Sequence, residues 1–297
     1  MKTVIVGVDP GRRGQSPLPG GSPSGRRLSS LCDLTPDEFE DRFDRINLHS
    51  DYGSSESSDW RAAENLRPIL RGRRVIALGR RVAKALKFPQ ETLGWSLQPE
   101  CIAATVPHPS GLSRWWNDPE NESAARLFMQ KALRPCIYVE GFDNSGKTTL
   151  VGQMPPHLTR ISSEDPPKSL QDCLDRIQAR IAPGIVCDRS SGLISELVYA
   201  PVLRGRMLFD TEEDAWKIVR SIVHAVTFIY CRPSRSEGPL EFRDGEDPQH
   251  VRGVQERAAA LVDRYEEVMV RLSKEGARVF RYDRFQQRPE EVIRCVV

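Results

Sequence analysis

Residues Gly141-Phe142-Asp143-Asn144-Ser145-Gly146-Lys147-Thr148 follow the spacing G-x-x-x-x-G-K-[ST], and an apolar run, Cys136 to Val139, stands directly before them. In that context the pattern is chemically specific. Gly141 and Gly146 let backbone N–H groups curl around phosphate oxygens, and the start of a following helix adds a favourable dipole. Lys147 reaches the β and γ phosphates, Thr148 offers its hydroxyl to Mg2+, and Asn144, Ser145 and Thr149 complete a cradle for ATP.

Two carboxylates stand near this cradle. Asp143 either faces the acceptor side of the transferred phosphoryl group or, beside Asn144, stabilises the turn itself. Ile185-Val186-Cys187 is an apolar strand ending in Asp188-Arg189, at a sheet's carboxyl edge where ligands bind. Asp188 there serves Mg2+ and Arg189 a phosphate, unless the two form a surface ion pair. Arg232, Arg235, Arg243 and Arg252 span a Gly/Pro/Asp-rich region; each either closes over phosphate, neutralising charge during transfer, or is solvated.

Over residues 136–297 these features resemble the thymidylate-kinase-like branch of the nucleoside and nucleotide kinases. The resemblance implies a P-loop kinase fold, with Lys147, Asp143, Asp188 and Arg189 catalytic and Thr148 and Asp188 holding Mg2+. It places a phosphate-closing lid in the region of the four arginines. The chain departs after Asp188-Arg189, where Ser190 to Tyr199 replaces the usual aromatic and alters the free-nucleotide acceptor segment.

A second pair of motifs lies in the front half. Gly7-Val8-Asp9-Pro10-Gly11 follows one apolar run, and Val106-Pro107-His108-Pro109-Ser110-Gly111-Leu112-Ser113-Arg114 another. Each alone is an ordinary turn sequence, but the ordered pair over residues 1–132 resembles the uracil-DNA glycosylase superfamily. The resemblance implies a DNA- and base-binding domain in which Asp9 orients water, His108 stabilises a developing anion, and Ser110 contacts phosphate. Arg114 also meets phosphate, Leu112 is a wedge for a vacated stack, and Asn47 is a candidate reader of the uracil edge. Trp115 and Trp116 are either base-stacking surfaces or a core anchor and its rim. The cysteine set of the iron–sulfur branches is absent.

A phosphate cradle joined to a base-extracting module fits a polymer substrate better than a free nucleotide. The combination resembles the bacteriophage 5-hydroxymethyluracil DNA kinases. That resemblance implies ATP-dependent phosphorylation of the 5-hydroxymethyl oxygen in DNA, within a thymidine hypermodification that shields viral DNA from restriction. The runners-up are a deoxynucleoside monophosphate kinase and a glycosylase or repair protein with an accessory P-loop.

These residues need two scaffolds. Apolar runs Val4–Val8, Val75–Leu78 and Cys101–Val106, separated by polar or helical stretches, predict one parallel sheet. Cys136–Val139, Ile185–Cys187, Val226–Tyr230 and Val279–Tyr282 predict a second, with a restart at Leu133-Arg134-Pro135. The fold expected is α/β: two three-layer α/β/α domains with mainly parallel sheets, at 1–132 and 136–297. Thr35-Pro36-Asp37-Glu38 marks a helix start, Asp51–Asp59 a mobile serine-rich loop, Gly79–Leu86 a short helix with Val82, Ala85 and Leu86 inward, and Val254–Leu272 a long helix.

The 297 residues suffice for two domains with separate cores. With 43 basic and 41 acidic side chains, bulk charge does not announce a nucleic-acid binder; residues 1–134 hold 20 of the basic and 16 of the acidic ones, a weak positive tilt. The seven cysteines show neither Cys-x-x-Cys nor zinc spacing, which predicts reduced thiols in a cytoplasmic protein. The opening apolar run is too short for a signal peptide, and no run reaches the length of a membrane span.

Overall fold

The computed structural model describes residues 2–8, 19, 21–51, 53–90, 92–110, 113–143, 145–161, 166–188, 192–232 and 248–297. Two compact units emerge, 1–134 with 220–225 and 135–219 with 226–297. Both are α/β with mainly parallel sheets.

In the first unit the strands are β1 (Thr3–Gly7), β2 (Phe43–Asn47), β3 (Arg74–Leu78), β4 (Ser96–Leu97) and β5 (Ile102–Val106), in the order β2-β1-β3-β5-β4. All pairings are parallel except that of β4 with β5. The helices are α1 (Pro23–Leu31), α2 (Pro36–Arg42), α3 (Asp59–Leu70), α4 (Arg80–Leu86) and α5 (Pro119–Ala132). Successive strand side chains point to opposite faces, so Ile5, Ile76 and Ala104 pack with Leu28, Phe39 and Met129 of α1, α2 and α5. Val4, Val6, Val75 and Ala77 pack with Ala63, Leu70, Val82 and Leu86 of α3 and α4. Burial on both faces explains why β1, β3 and β5 read as unbroken apolar runs. The edge strand β2 carries Asp44 and Arg45 and escaped that reading.

The second sheet is wholly parallel. Its strands β6 (Ile137–Gly141), β7 (Thr159–Ile161), β8 (Ile185–Asp188), β9 (Thr227–Cys231) and β10 (Arg278–Tyr282) run in the order β10-β9-β6-β8-β7. Helices α6 (Lys147–Gly152), α7 (Leu170–Arg180), α8 (Leu193–Tyr199), α9 (Glu212–Ile222), α10 (Pro248–Glu256), α11 (Ala258–Lys274) and α12 (Pro289–Val296) connect or follow them. Ile137, Val139, Val186 and Ile229 meet Leu150 of α6 and Val292 of α12 on one face. On another, Tyr230 stacks on Tyr265 of α11 at 5.8 Å. The chain leaves β6 for β7 on one side and returns to β9 on the other. The carboxyl end of β6 is therefore a topological switch point, the place where open parallel sheets bind ligands.

Several expectations change in detail. The helix start at Thr35 holds, because Thr35 N–H donates to Glu38 Oε2 at 2.8 Å and Glu38 N–H to Thr35 Oγ1 at 3.3 Å. The long helix expected from Val254 to Leu272 is two helices, since Arg257 leaves helical geometry at φ −116° and ψ 18°. In α4 it is Ala83 that is fully buried, Ala85 lying at the margin.

The serine-rich segment is not loose where it is described. Asp59, at its end, is 8% exposed and receives Arg81 Nε at 2.9 Å on one carboxylate oxygen and Arg81 Nη2 at 2.9 Å on the other. His49 Nε2 lies 2.7 Å from Asp59 Oδ1, and Arg81 Nη2 also donates to the Ser54 carbonyl at 2.6 Å. The guanidinium of Arg81, helped by His49, holds the Asp59 carboxyl below the usual aspartate range despite its burial. The ionised carboxylate thus stabilises the fold at neutral pH, and that contribution fades as pH falls through the lowered value. Asp59→Asn is expected to cost about 1.5–3 kcal/mol near neutrality, the range for hydrogen bonds to charged groups. Urea unfolding should show the deficit shrinking as pH falls through the carboxylate range, whereas a pH-independent deficit would mean that packing alone is lost.

Candidate functional site

The phosphate-loop sequence turns sharply out of β6. Gly141 has φ +146°, and a Cβ there would lie 2.3 Å from the Cys231 carbonyl oxygen and 3.0 Å from Ser145 Oγ. Only glycine fits so close to the neighbouring strand. The turn closes through Ser145 N–H to the Phe142 carbonyl at 3.2 Å, and Gly146, at φ +91°, leads into α6. This helix spans six residues, Lys147–Gly152, before Pro155 and Pro156, so its dipole is short.

Lys147 is buried, and its Nζ donates to the carbonyls of Gly141 at 2.8 Å and Phe142 at 2.6 Å. Thr148 Oγ1 donates to Asp188 Oδ2 at 2.7 Å across forty residues of sequence. Asp188 ends β8 and is 2% exposed. Among the described residues its second oxygen, Oδ1, and the nearby Ser145 Oγ are buried without a hydrogen-bond partner. Burying an acceptor unsatisfied is costly, so a donor or a cation belongs at Asp188 Oδ1. A hydroxyl and a carboxylate are the hard oxygen donors that Mg2+ takes when phosphate and water supply the rest. The residues present therefore fit Mg2+. No group of three or more His, Cys, Asp and Glu among the described residues could hold a metal without such help.

Asp143 lies half-buried in the loop and Thr149 is exposed on α6, while Asn144 and Arg189 fall outside the described residues. Of the four arginines expected in a lid, Arg235 and Arg243 also lie outside them. Arg232 is engaged elsewhere, paired with Glu266 and donating its backbone N–H to the Tyr282 carbonyl at 2.9 Å. Arg252 is exposed on α10. Burial pushes the Cys231 thiol up to about 12, with Lys147 pulling the other way, so it stays protonated beside the cradle. Motif reading missed Arg284. Its Cδ lies 3.3 Å from where a Gly146 Cβ would stand, and its guanidinium is 4.7 Å from the exposed ring of Phe285. The only sequence signal is an Arg-Phe pair just beyond the last strand.

In the first unit, Gly79 follows β3 with φ +84°, and a Cβ there would stand 3.1 Å from His108 Cβ. His108 follows β5, and its Nδ1 accepts the Ser110 N–H at 3.2 Å. The neutral ring then carries its proton on Nε2, which becomes a donor. Trp116 Nε1 donates to the His108 carbonyl at 2.8 Å and Arg27 Nη1 to the Pro109 carbonyl at 3.2 Å. Trp116 is thus a buried anchor for the loop, with Trp115 edge-on beside it at 4.8 Å; neither is a free stacking platform. Arg114 is exposed, and Asp9 and Leu112 lie outside the described residues. Asn47 ends β2 opposite Gly7 of β1, its Oδ1 buried with no partner among the described residues.

Gly141→Ala is expected to lower stability by at least ~2 kcal/mol, because a methyl group would meet backbone that cannot withdraw. Thr148→Ala is expected to leave the fold intact, since the hydroxyl is near the surface, and to weaken Mg2+-dependent binding of ATP by about tenfold or more. Calorimetric titration of nucleotide with and without Mg2+ separates the two outcomes.

No family model and no curated protein matches the chain. Among solved structures, it is similar to the YorR protein from Bacillus subtilis in complex with phosphorylated GDP, at 19% identity and a TM-score of 0.42 over 54% of this chain and 92% of that one. It is also similar to the NadR protein in complex with NR, at 17% identity and a TM-score of 0.39 over 99% of this chain and 86% of that one. At those scores neither likeness bears on fold or function.

Proposed function

We propose that this chain is an ATP-dependent kinase acting on the 5-hydroxymethyl oxygen of 5-hydroxymethyluracil in DNA, with the second unit transferring phosphate and the first holding the base. The observation that carries the reading is the hydrogen bond from Thr148 to Asp188 at the open end of β6, beside an orphaned carboxylate oxygen and a buried lysine. A strand, a glycine-rich turn and a helix beginning Lys-Thr form a nucleoside triphosphate cradle, and an acidic residue on the adjacent strand end completes it.

In the transfer, the hydroxymethyl oxygen forms a bond to the γ phosphorus as the bond to the β–γ bridging oxygen breaks. The products are ADP and a 5-phosphomethyl base, and the hydroxyl proton leaves to a carboxylate or water. Lys147 moves from the loop carbonyls onto phosphate oxygens and spreads their charge, Asp143 or Asp188 orients the acceptor hydroxyl, and Arg189 steadies the acceptor. Thr148 and Asp188 would hold Mg2+, which would supply charge neutralisation to the triphosphate. Arg284, beside Gly146 and over the Phe285 ring, offers a stacking face to the nucleotide's base.

The first unit supports the base-holding half of the reading. Asn47 presents a buried acceptor with no partner among the described residues, and the Ser110 N–H on His108 Nδ1 places the neutral ring's proton on Nε2. Asn47 ends β2 and His108 follows β5, both at the carboxyl edge of one mainly parallel sheet. Asp9, Ser110 and Arg114 complete the DNA contacts in this reading. The products make sense only if the glycosidic bond survives, so the first unit presents the base without releasing it.

The deciding experiment gives purified protein labelled ATP with either 5-hydroxymethyluracil DNA or free deoxynucleoside monophosphates. Label in the DNA supports the proposal, and label only in the monophosphates makes the chain a nucleotide kinase. Lys147→Ala is expected to lower transfer by about 10²–10³-fold with DNA binding retained, and transfer equal to wild type would refute the assignment. Alkali-labile sites appearing in uracil DNA, and lost in His108→Ala, would mean that the first unit is an active glycosylase.

A further inference from the structure

Trp60 is the most exposed large apolar side chain among the described residues, at 62%. It opens α3, next to Asp59, and the guanidinium of Arg61 lies 5.4 Å from its ring centroid. A tryptophan left so open contributes nothing to the core, and water gains nothing from it. Its neighbour Asp59, by contrast, is tied down by hydrogen bonds. Asp59 is clamped by both Nε and Nη2 of Arg81 and by His49, whose own backbone N–H extends the β1–β2 pairing to the Val8 carbonyl at 2.9 Å.

The same hydrogen bonds tie Trp60 to the base site of the first unit. His108 touches Gly79, Arg81 follows Gly79 in α4 and clamps Asp59, and Asp59 precedes Trp60; α3 and α4 both begin after strands that end at the carboxyl edge of the sheet. The carboxylate in that series, Asp59, is already neutralised. Arg61, over the Trp60 ring, and Arg80, which opens α4 next to Arg81, are exposed, with no carboxylate partner among the described residues.

We propose that Trp60, backed by Arg61 and Arg80, is a stacking shelf for an unpaired nucleobase of a single DNA strand that runs along this edge. Every base has a π face, so an exposed indole takes any of them, and an arginine over the indole adds cation–π attraction and a phosphate contact. A strand with one nucleotide drawn into a site needs its displaced neighbours held apart, and the shelf stands beside that site. The proposal rests on the reading that the first unit holds DNA, and it adds where the unpaired strand goes.

The test uses the full chain and a short labelled oligothymidylate, followed by anisotropy and tryptophan emission, with circular dichroism as the folding control. Trp60→Ala is expected to weaken binding by about 5–150-fold, the span of stacking energies of ~1–3 kcal/mol per base. Trp60→Phe keeps affinity within about threefold, since a phenyl face still stacks, but loses the emission quench that wild type shows on binding. Arg61→Gln and Arg80→Gln each flatten the salt dependence by roughly 0.7 in log–log slope, one phosphate contact on a single strand. Unchanged affinity in a folded Trp60→Ala protein, or a full quench in Trp60→Phe, overturns the shelf. Phosphorylation of 5-hydroxymethyluracil DNA is measured on the same samples. Transfer with Trp60-independent binding removes the shelf and leaves the kinase; Trp60-dependent binding without transfer does the reverse.

Discussion

A parallel sheet covered by helices on both faces can offer polar side chains to solvent only at its ends, and most of the chemistry of this protein follows from that constraint. Val4, Ile5 and Val6 are fully buried, as are Ile137, Tyr138 and Val139. The strands therefore carry no site of their own. Chemistry begins where each strand stops and its neighbours diverge, at Asn47, Gly79 and His108 in one unit and at Gly141 and Asp188 in the other. Strand order decides which end matters, because the crevice opens where successive connections leave in opposite directions.

Within the second unit, close approach and hydrogen bonding divide the work. The φ of Gly141 and the Cys231 carbonyl beside it leave no room for a side chain, which forces the loop to fold over the strand end. Thr148 and Asp188 then tie the loop's exit to the next strand. Lys147 is lodged on two carbonyls of the loop; in the proposed function phosphate oxygens replace those carbonyls, and a charged acceptor holds an ammonium more strongly than a neutral one.

Strand positions, and the starts of a few helices, were legible in the residues. Apolar runs located every fully buried strand, and the capping box at Thr35 located α2, because burial on two faces and N-terminal capping leave local marks. The two-residue β4 and the edge strands β2 and β7, half-exposed and partly charged, leave none. The long helix beginning at Val254 looked continuous because side-chain periodicity does not register a break at one residue, Arg257. The serine-rich segment looked loose because its anchors, His49 and Arg81, come from other elements.

The phosphate loop is legible because the ligand it is built for dictates residue type at fixed spacing within one turn of chain. Sequence alone therefore determined the cradle, its lysine and its hydroxyl, and the alternation of strand and helix that carries them. Tertiary structure decided the rest: that Asp188 meets Thr148, that Arg284 passes Gly146, that Arg232 belongs to Glu266, and that Trp116 is an anchor while Trp60 faces water. Each of these joins or separates residues far apart in the chain, and such pairings are set by strand order and by which face of a helix the core claims, quantities that no local spacing encodes.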